Sequence, residues 1–218
     1  TDESFLSIHY ANGLWLAGGH NDIGIWKSTD GNTWIQTAKT DGTFTSLYYE
    51  NGLWLAVGTG IWKSTDGNTW SQTSKTNGSF NSIYYANGLW LAGSTNNIGI
   101  WKSTDGNSWT QTAKTDGYIY SIYYANGLWL ASGGTQSYAN GIWKSTDGNT
   151  WTQTDKTDGY FYSLYYANGL WLAGSDRLGI WKSTDGQTWT QTAKIDGSFC
   201  SICYANGLWL AGEDNGGG

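Results

Sequence analysis

The chain repeats itself, and the repeat constrains the fold more than any other feature. The phrase SIYYANGLWLAG begins at Ser82, and close copies begin at Ser7, Ser46, Ser121, Ser163 and Ser201. A second phrase, GIWKSTDGNTWTQT, follows with small changes from Gly24, Gly60, Gly99, Gly141 and Gly179. The period is 36 to 42 residues, as Trp15, Trp54, Trp90, Trp129, Trp171 and Trp209 mark it. A unit of this length cannot bury its own faces and must stack on its neighbours.

Four short strands fit each unit, here called A (as in FNSIYY), B (LWLAG), C (GIWKS) and D (TWTQT). Asn-Gly between A and B is a strong hairpin signal. TDGN between C and D supplies an Asp that accepts turn amides and a Gly that tolerates positive φ. No unit carries an i, i+3, i+4 apolar stripe, so helices are not expected. With 16 Trp, 15 Tyr and no Pro, the chain has the composition of short strands whose large flat side chains fill wedges between sheets. Trp34, Trp70, Trp109, Trp151 and Trp189 recur in every full unit and read as such packing.

These features predict an all-β protein: a five-bladed β-propeller of four-stranded antiparallel blades with one surplus A–B hairpin. Residues 1–218 read as a single propeller domain. Its units fall at about 4–42, 43–78, 79–117, 118–159 and 160–197, followed by the hairpin 198–212 and a tail 213–218. The surplus follows from counting: six A–B phrases make 12 strands and five C–D phrases make 10, against 20 for five closed blades. The two chain ends could compete for one place, the hairpin could begin an unfinished blade, or it could pair with another copy as a homo-oligomer. Near-identity of the units fits a recently amplified or a designed array.

Two families share these phrases. STDGNTW resembles the Asp-box of sialidase-like propellers, with one residue fewer between Asp and Trp. NGLWLA…GIWKSTDGNTW is similar to the repeat of bacterial Asp-box propellers. FNSIYYANGLWLAG…IWKS…TW resembles, in its order of residues, the unit of five-bladed tachylectin-type lectins. Both resemblances span the chain and imply a propeller fold.

The charge and the reactive residues restrict function. The net charge is -6, and Arg177 is the one arginine. Ten lysines are spread evenly through the repeats, which argues against a nucleic-acid partner. No stretch is long and apolar enough for membrane insertion. Cys200 and Cys203 would point to opposite faces of a strand, which disfavours a bond between them. Sialidases, as the resemblance implies, hold the substrate carboxylate with three arginines, and one chain with one arginine cannot. Asp30, Asp66, Asp105, Asp147 and Asp185 therefore read as turn residues. Glu3, Glu50 and Glu213 do not form a glycosidase pair. His9 and Cys203 replace a Tyr at equivalent places in the end copies and read as drift. No catalytic residue, cofactor or metal site is expected, and an enzyme is not.

Comparison of the units with one another locates a candidate site. The A–B and C–D turns are nearly constant. The B–C loops vary: GGHNDI, VGT, GSTNNI, SGGTQSYAN and GSDRL. So do the residues flanking the first aromatic of strand A, among them Tyr118 and Tyr120 in one unit and Tyr160 and Tyr162 in the next. Antiparallel pairing places the start of A beside the end of B, so the variation gathers on one face. Planar rings beside amides and carboxylates suit a sugar. The tachylectin resemblance implies N-acetylated sugars held at the D–A and B–C loops between blades. It also matches Asp41, Asn77, Asp116, Asp158 and Asp196 to that family's acidic or amide position, although the preceding Trp of that family is Thr or Ile here. The candidate ligand residues are those five with Tyr118, Tyr120, Tyr160, Tyr162, Asn97, Tyr138 and Arg177. The expected function is non-enzymatic glycan binding, with several sites giving avidity. A structural or protein-interaction scaffold, natural or designed, is the alternative, and a sialidase-like hydrolase a distant third. A secreted or surface-exposed location is favoured.

Overall fold

The computed structural model describes residues 4–135 and 138–214, with the backbone alone at 135 and 138–140. The first blade consists of β1 (Phe5–Ala11), β2 (Leu14–Gly19), β3 (Ile25–Ser28) and β4 (Ile35–Gln36). The second consists of β5 (Phe44–Glu50), β6 (Leu53–Gly58), β7 (Gly60–Ser64) and β8 (Ser71–Gln72). The third holds β9 (Phe80–Ala86), β10 (Leu89–Ser94), β11 (Ile100–Ser103) and β12 (Thr110–Gln111). The fourth holds β13 (Ile119–Ala125), β14 (Leu128–Thr135), β15 (Tyr138–Ser145) and β16 (Thr152–Gln153). The fifth holds β17 (Phe161–Ala167), β18 (Leu170–Ser175), β19 (Ile180–Ser183) and β20 (Thr190–Gln191). A hairpin of β21 (Phe199–Ala205) and β22 (Leu208–Glu213) follows.

Each four-stranded sheet keeps its strands in sequential order, and the hairpin stands as a two-stranded sheet. The described residues contain no helix. The fold is thus the expected one: five propeller blades and one surplus A–B hairpin. Each Asn-Gly turn puts both central residues at positive φ, for example Asn12 at 51° and Gly13 at 75°, a backbone that matches the twist of the strands it joins.

Strand D is shorter than TWTQT suggests, only two residues in every blade. In two blades the preceding Trp sends its amide to another repeat. Trp109 N–H donates to Ser74 Oγ at 3.1 Å, and Trp189 N–H to Asp155 Oδ1 at 3.1 Å. These donors serve the preceding blade's outer edge rather than their own sheet.

The chain divides into two compact units, Thr1–Asn96 with Trp101–Gln111, and Asn97–Ile100 with Thr112–Gly218. In the first, Leu16 and Ile25 of one blade pack with Phe44, Leu47, Trp54 and Ala56 of the next. Trp70 is packed against them. In the second, Leu130 and Ile142 pack with Phe161, Leu164, Trp171, Ala173 and Trp189. Trp70 and Trp189 therefore do fill wedges between blades, while Trp109 and Trp151 are buried and Trp34 is half-buried.

Three further contacts recur from blade to blade within a unit. The strand-A serine accepts an amide from the next blade: Leu47 N–H to Ser7 Oγ, Ile83 N–H to Ser46 Oγ, Leu164 N–H to Ser121 Oγ and Ile202 N–H to Ser163 Oγ, at 3.1–3.3 Å. Two strand-B leucines sit against the next blade's C–D turn glycine, Leu14 and Leu16 on Gly67, Leu128 and Leu130 on Gly186. Gly67 has a φ of 69°, which favours glycine, and a Cβ there would come within 2.4 Å of the Leu14 side-chain tip. Finally, Gly18 and Gly174 face the next blade's phenylalanine, Phe44 and Phe199.

Candidate ligand-binding face

The variable face is built around a β-bulge. Phe5 pairs with Gly19 and Ser7 with Gly18, which leaves Leu6 as the extra residue. The same shift recurs in the other strand-A/strand-B pairs and in the hairpin. The extra residues are Leu6, Thr45, Asn81, Tyr120, Tyr162 and Cys200, the very positions that vary between units. A bulge residue is released from the alternation of the strand and can be re-aimed. Thr45 turns its hydroxyl to the carbonyls of Val57 at 3.1 Å and Phe80 at 2.6 Å. Tyr120 and Tyr162 meet edge to face, ring centroids 5.3 Å apart. Burial raises the pKa of both phenols.

Beside the bulge lies the D–A loop, where every unit repeats a Lys, one residue, then Asp or Asn. The Lys ammonium ion-pairs with that Asp: Lys39 with Asp41, Lys114 with Asp116, Lys156 with Asp158 at 2.6 Å, and Lys194 with Asp196 at 2.8 Å. In the second unit of sequence, Lys75 instead donates to the Asn77 carbonyl at 2.7 Å. The lysine bond holds the Asp41, Asp158 and Asp196 carboxyls below their ordinary pKa. Lys75 faces a neutral amide, and burial lowers its pKa.

The same ammonium lies over an indole of the following strand C. Lys39 is 4.1 Å from the Trp62 ring centroid, Lys75 3.8 Å from Trp101, Lys114 4.1 Å from Trp143 and Lys156 3.8 Å from Trp181. Reading the lysines only as charges spread through the repeats misses this contact. The fixed Lys-x-Asp spacing was the signal that could have shown it.

The B–C loops are pinned to their own D–A loops. Asp22 accepts the Gly42 amide, and Asn97 Oδ1 accepts the Gly117 amide at 2.6 Å. Asn97 and Arg177 take the left-handed backbone, φ 57° and 58°. Arg177 is exposed and 4.0 Å from Asp176, whose carboxylate accepts the Ser198 hydroxyl at 2.9 Å. Tyr118 and Tyr160 are half-buried, and their carbonyls accept the amides of Gly134 and Asp176. The Tyr138 side chain lies outside the described residues.

Between the first and second blades these loops enclose a hollow of 310 Å³, lined by Asp22, Lys39, Asp41, Gly42, Thr43, Phe44, Thr59, Trp62 and Gln72. Of the predicted site residues, Asp41 is here. Tyr120 and Tyr162 meet in the other unit, and the remaining acids stand singly in their own D–A loops.

The opposite end of each blade has a different character. Asp30 Oδ1 accepts the Ser28 hydroxyl and the amides of Asn32 and Thr33, at 2.7–2.9 Å. Asp66, Asp105, Asp147 and Asp185 repeat the pattern. The turn amides hold Asp30, Asp66 and Asp147 at a pKa of about 2. Their oxygens are spent on the turn. Among the described residues no group of three His, Cys, Asp or Glu is placed to hold a metal ion. His9 packs on Tyr48, 5.1 Å between centroids, and burial lowers its pKa.

No protein-family model matches the sequence, and no curated protein matches it. Solved structures do. The WD40 β-propeller domain of Doa1 is 14% identical, with a TM-score of 0.72 over 96% of this chain and 75% of that one. YCF48 bound to D1 peptide is 17% identical, TM-score 0.70, over 93% of this chain and 72% of that one. The computationally designed Ika8 protein is 7% identical, TM-score 0.70, over 96% and 68%. At these identities the likeness shows the fold, and the chain is a β-propeller built of repeated four-stranded blades.

Proposed function

We propose that the chain is a non-enzymatic carbohydrate-binding propeller that holds glycan at the D–A and B–C loops. The observation that carries this reading is the 310 Å³ hollow beside Trp62. It combines an indole with the carboxylates of Asp22 and Asp41, the ammonium of Lys39 and the amide of Gln72. A ring face suits the C–H face of a sugar, and the polar groups suit its hydroxyls or an N-acetyl group. Sites of this kind in several blades would bind weakly one by one and gain from avidity.

The second reading is a protein-interaction or designed scaffold with no small ligand. The ion pairs favour it, because Lys39, Lys114, Lys156 and Lys194 already occupy the aspartates a sugar would use. One structural neighbour, YCF48, is described bound to a peptide.

A glycan array with free-sugar competition separates the two. The glycan reading expects saturable binding that Gln72→Ala weakens without changing the thermal melt. A blank array from folded protein, or binding indifferent to Gln72→Ala and Trp62→Phe, removes the glycan reading from this hollow.

A further inference from the structure

We infer that a second copy of this chain docks head to tail, the hairpin β21–β22 of one copy covering the outer face of the first blade of the other. Both surfaces are apolar and uncovered. On the first blade Phe5, Leu6 and Ile8 are exposed, Ile8 at 59%, and with Ser7, Ala17 and Trp34 they line a groove of 410 Å³. On the hairpin Leu208 and Leu210 are 60% and 54% exposed.

The repeats say what covers such a groove. Its residues Phe5, Ile8, Ala17 and Trp34 correspond to Phe44, Leu47, Ala56 and Trp70 in the second blade. Those are packed by the Leu16 face of the preceding blade. In the fifth blade the corresponding Phe161, Leu164, Ala173 and Trp189 are packed by the Leu130 face. The hairpin carries the same covering face, with Leu208 and Leu210 standing where Leu14 and Leu16, or Leu128 and Leu130, stand.

Among the described residues, each recurrent contact between blades then has one half unused in the first blade and the other unused in the hairpin. Gly67, Gly106 and Gly186 each have two leucines of the preceding blade against them, while Gly31 has only Trp15 of its own blade. Gly18 and Gly174 face a phenylalanine, while Gly212 meets only Ser201 at 3.8 Å, and Phe5 is exposed. Ser7, Ser46, Ser121 and Ser163 accept an amide of the following repeat, while Ser201 is exposed. Docking seats Leu208 and Leu210 at Gly31, Phe5 at Gly212, and the Ile8 amide on Ser201.

The contact is heterologous, so two copies can close on each other or add end to end. It is also weaker than a contact between full blades, because the hairpin has no strand C to supply the counterpart of Ile25 or Ile142. Association should therefore depend on concentration.

Sedimentation velocity on the full chain over a concentration series tests this with two blocked variants. Leu208→Glu/Leu210→Glu blocks the hairpin, and Ile8→Glu blocks the groove. We expect the unmodified chain to self-associate, each blocked chain to be monomeric, and an equimolar mixture of the two to form a heterodimer through the one intact pair of faces. Gly212→Val guards against loss of fold, since a Cβ at Gly212 meets nothing closer than 3.8 Å in its own chain. It should weaken association while leaving the melt unchanged. A monomeric unmodified chain at every concentration overturns the inference, as does self-association that survives Gly212→Val and both blocks. So does a mixture of folded blocked chains that stays monomeric.

Discussion

The same nine residues, YANGLWLAG, occupy Tyr166–Gly174 in the fifth blade and Tyr204–Gly212 in the hairpin. Their backbones agree: the same turn, the same strand pairing and the same bulge upstream. Their burial does not. Trp171 is 1% exposed and Leu172 8%, whereas Trp209 is half-buried and Leu210 54% exposed. The difference is the neighbour. Residues 166–174 have strand C, Ile180–Ser183, beside them and buried neighbours against them, and residues 204–212 stand in a two-stranded sheet. Local sequence sets the hairpin, and the next repeat decides whether it becomes core.

Truncating the matched tryptophans should break this symmetry most visibly. Trp171→Ala should destabilise the second unit by about 3–5 kcal/mol, as deletion of a fully buried aromatic does. Trp209→Ala in dilute solution should cost about half of that or less, because part of its surface is already in water. Urea unfolding followed by fluorescence measures both, and equal losses would mean that the two environments are alike.

The leucines should show the same contrast on a smaller scale. Leu172→Ala should cost about 2–4 kcal/mol and Leu210→Ala less than about 1 kcal/mol in dilute protein.

The lysines sharpen the comparison further. Lys156 is buried over Trp181 and bonded to Asp158, while Lys194 is half exposed and its next repeat has no strand-C tryptophan. Lys156→Gln should cost about 1–2 kcal/mol through the lost cation–π contact, and Lys194→Gln should cost less, as an exposed pair does. Thermal melts of the two variants check the order.

Acid gives the smallest and most specific effect. The folded-state pKa of Asp147 is depressed to about 2 by the Thr150 and Asn149 amides, against about 3.9 in an unfolded chain. Its contribution is therefore present in full above pH ~4 and is lost as pH falls through ~2. The hairpin has no such turn. Acid titration followed by hydrogen exchange should loosen the C–D turns first, and Asp147→Asn should flatten that part of the profile.

Much of this was legible in the residues. Asn12-Gly13 and its copies gave the A–B hairpin, Ser28, Asp30 and their copies gave the C–D turn, and six phrases against five gave the surplus. The two-residue length of strand D was not legible in TWTQT, and neither was the bond from the Trp109 amide to Ser74 of another repeat. The candidate face was half legible. Variation between copies pointed to the bulge residues Tyr120 and Tyr162, which do meet. It could not show Lys39 over Trp62, since both are constant and their contact joins residues of successive units. Nor could it show that Asp41 is already paired.

The most direct measurement is hydrogen exchange on peptides covering the two identical phrases, separated by their flanks Leu164-Tyr165 and Ile202-Cys203. If the neighbour decides, the Leu170–Ser175 amides are strongly protected, and the Leu208–Glu213 amides exchange faster by at least about an order of magnitude in dilute protein. Equal protection of the two copies in dilute protein would contradict the account.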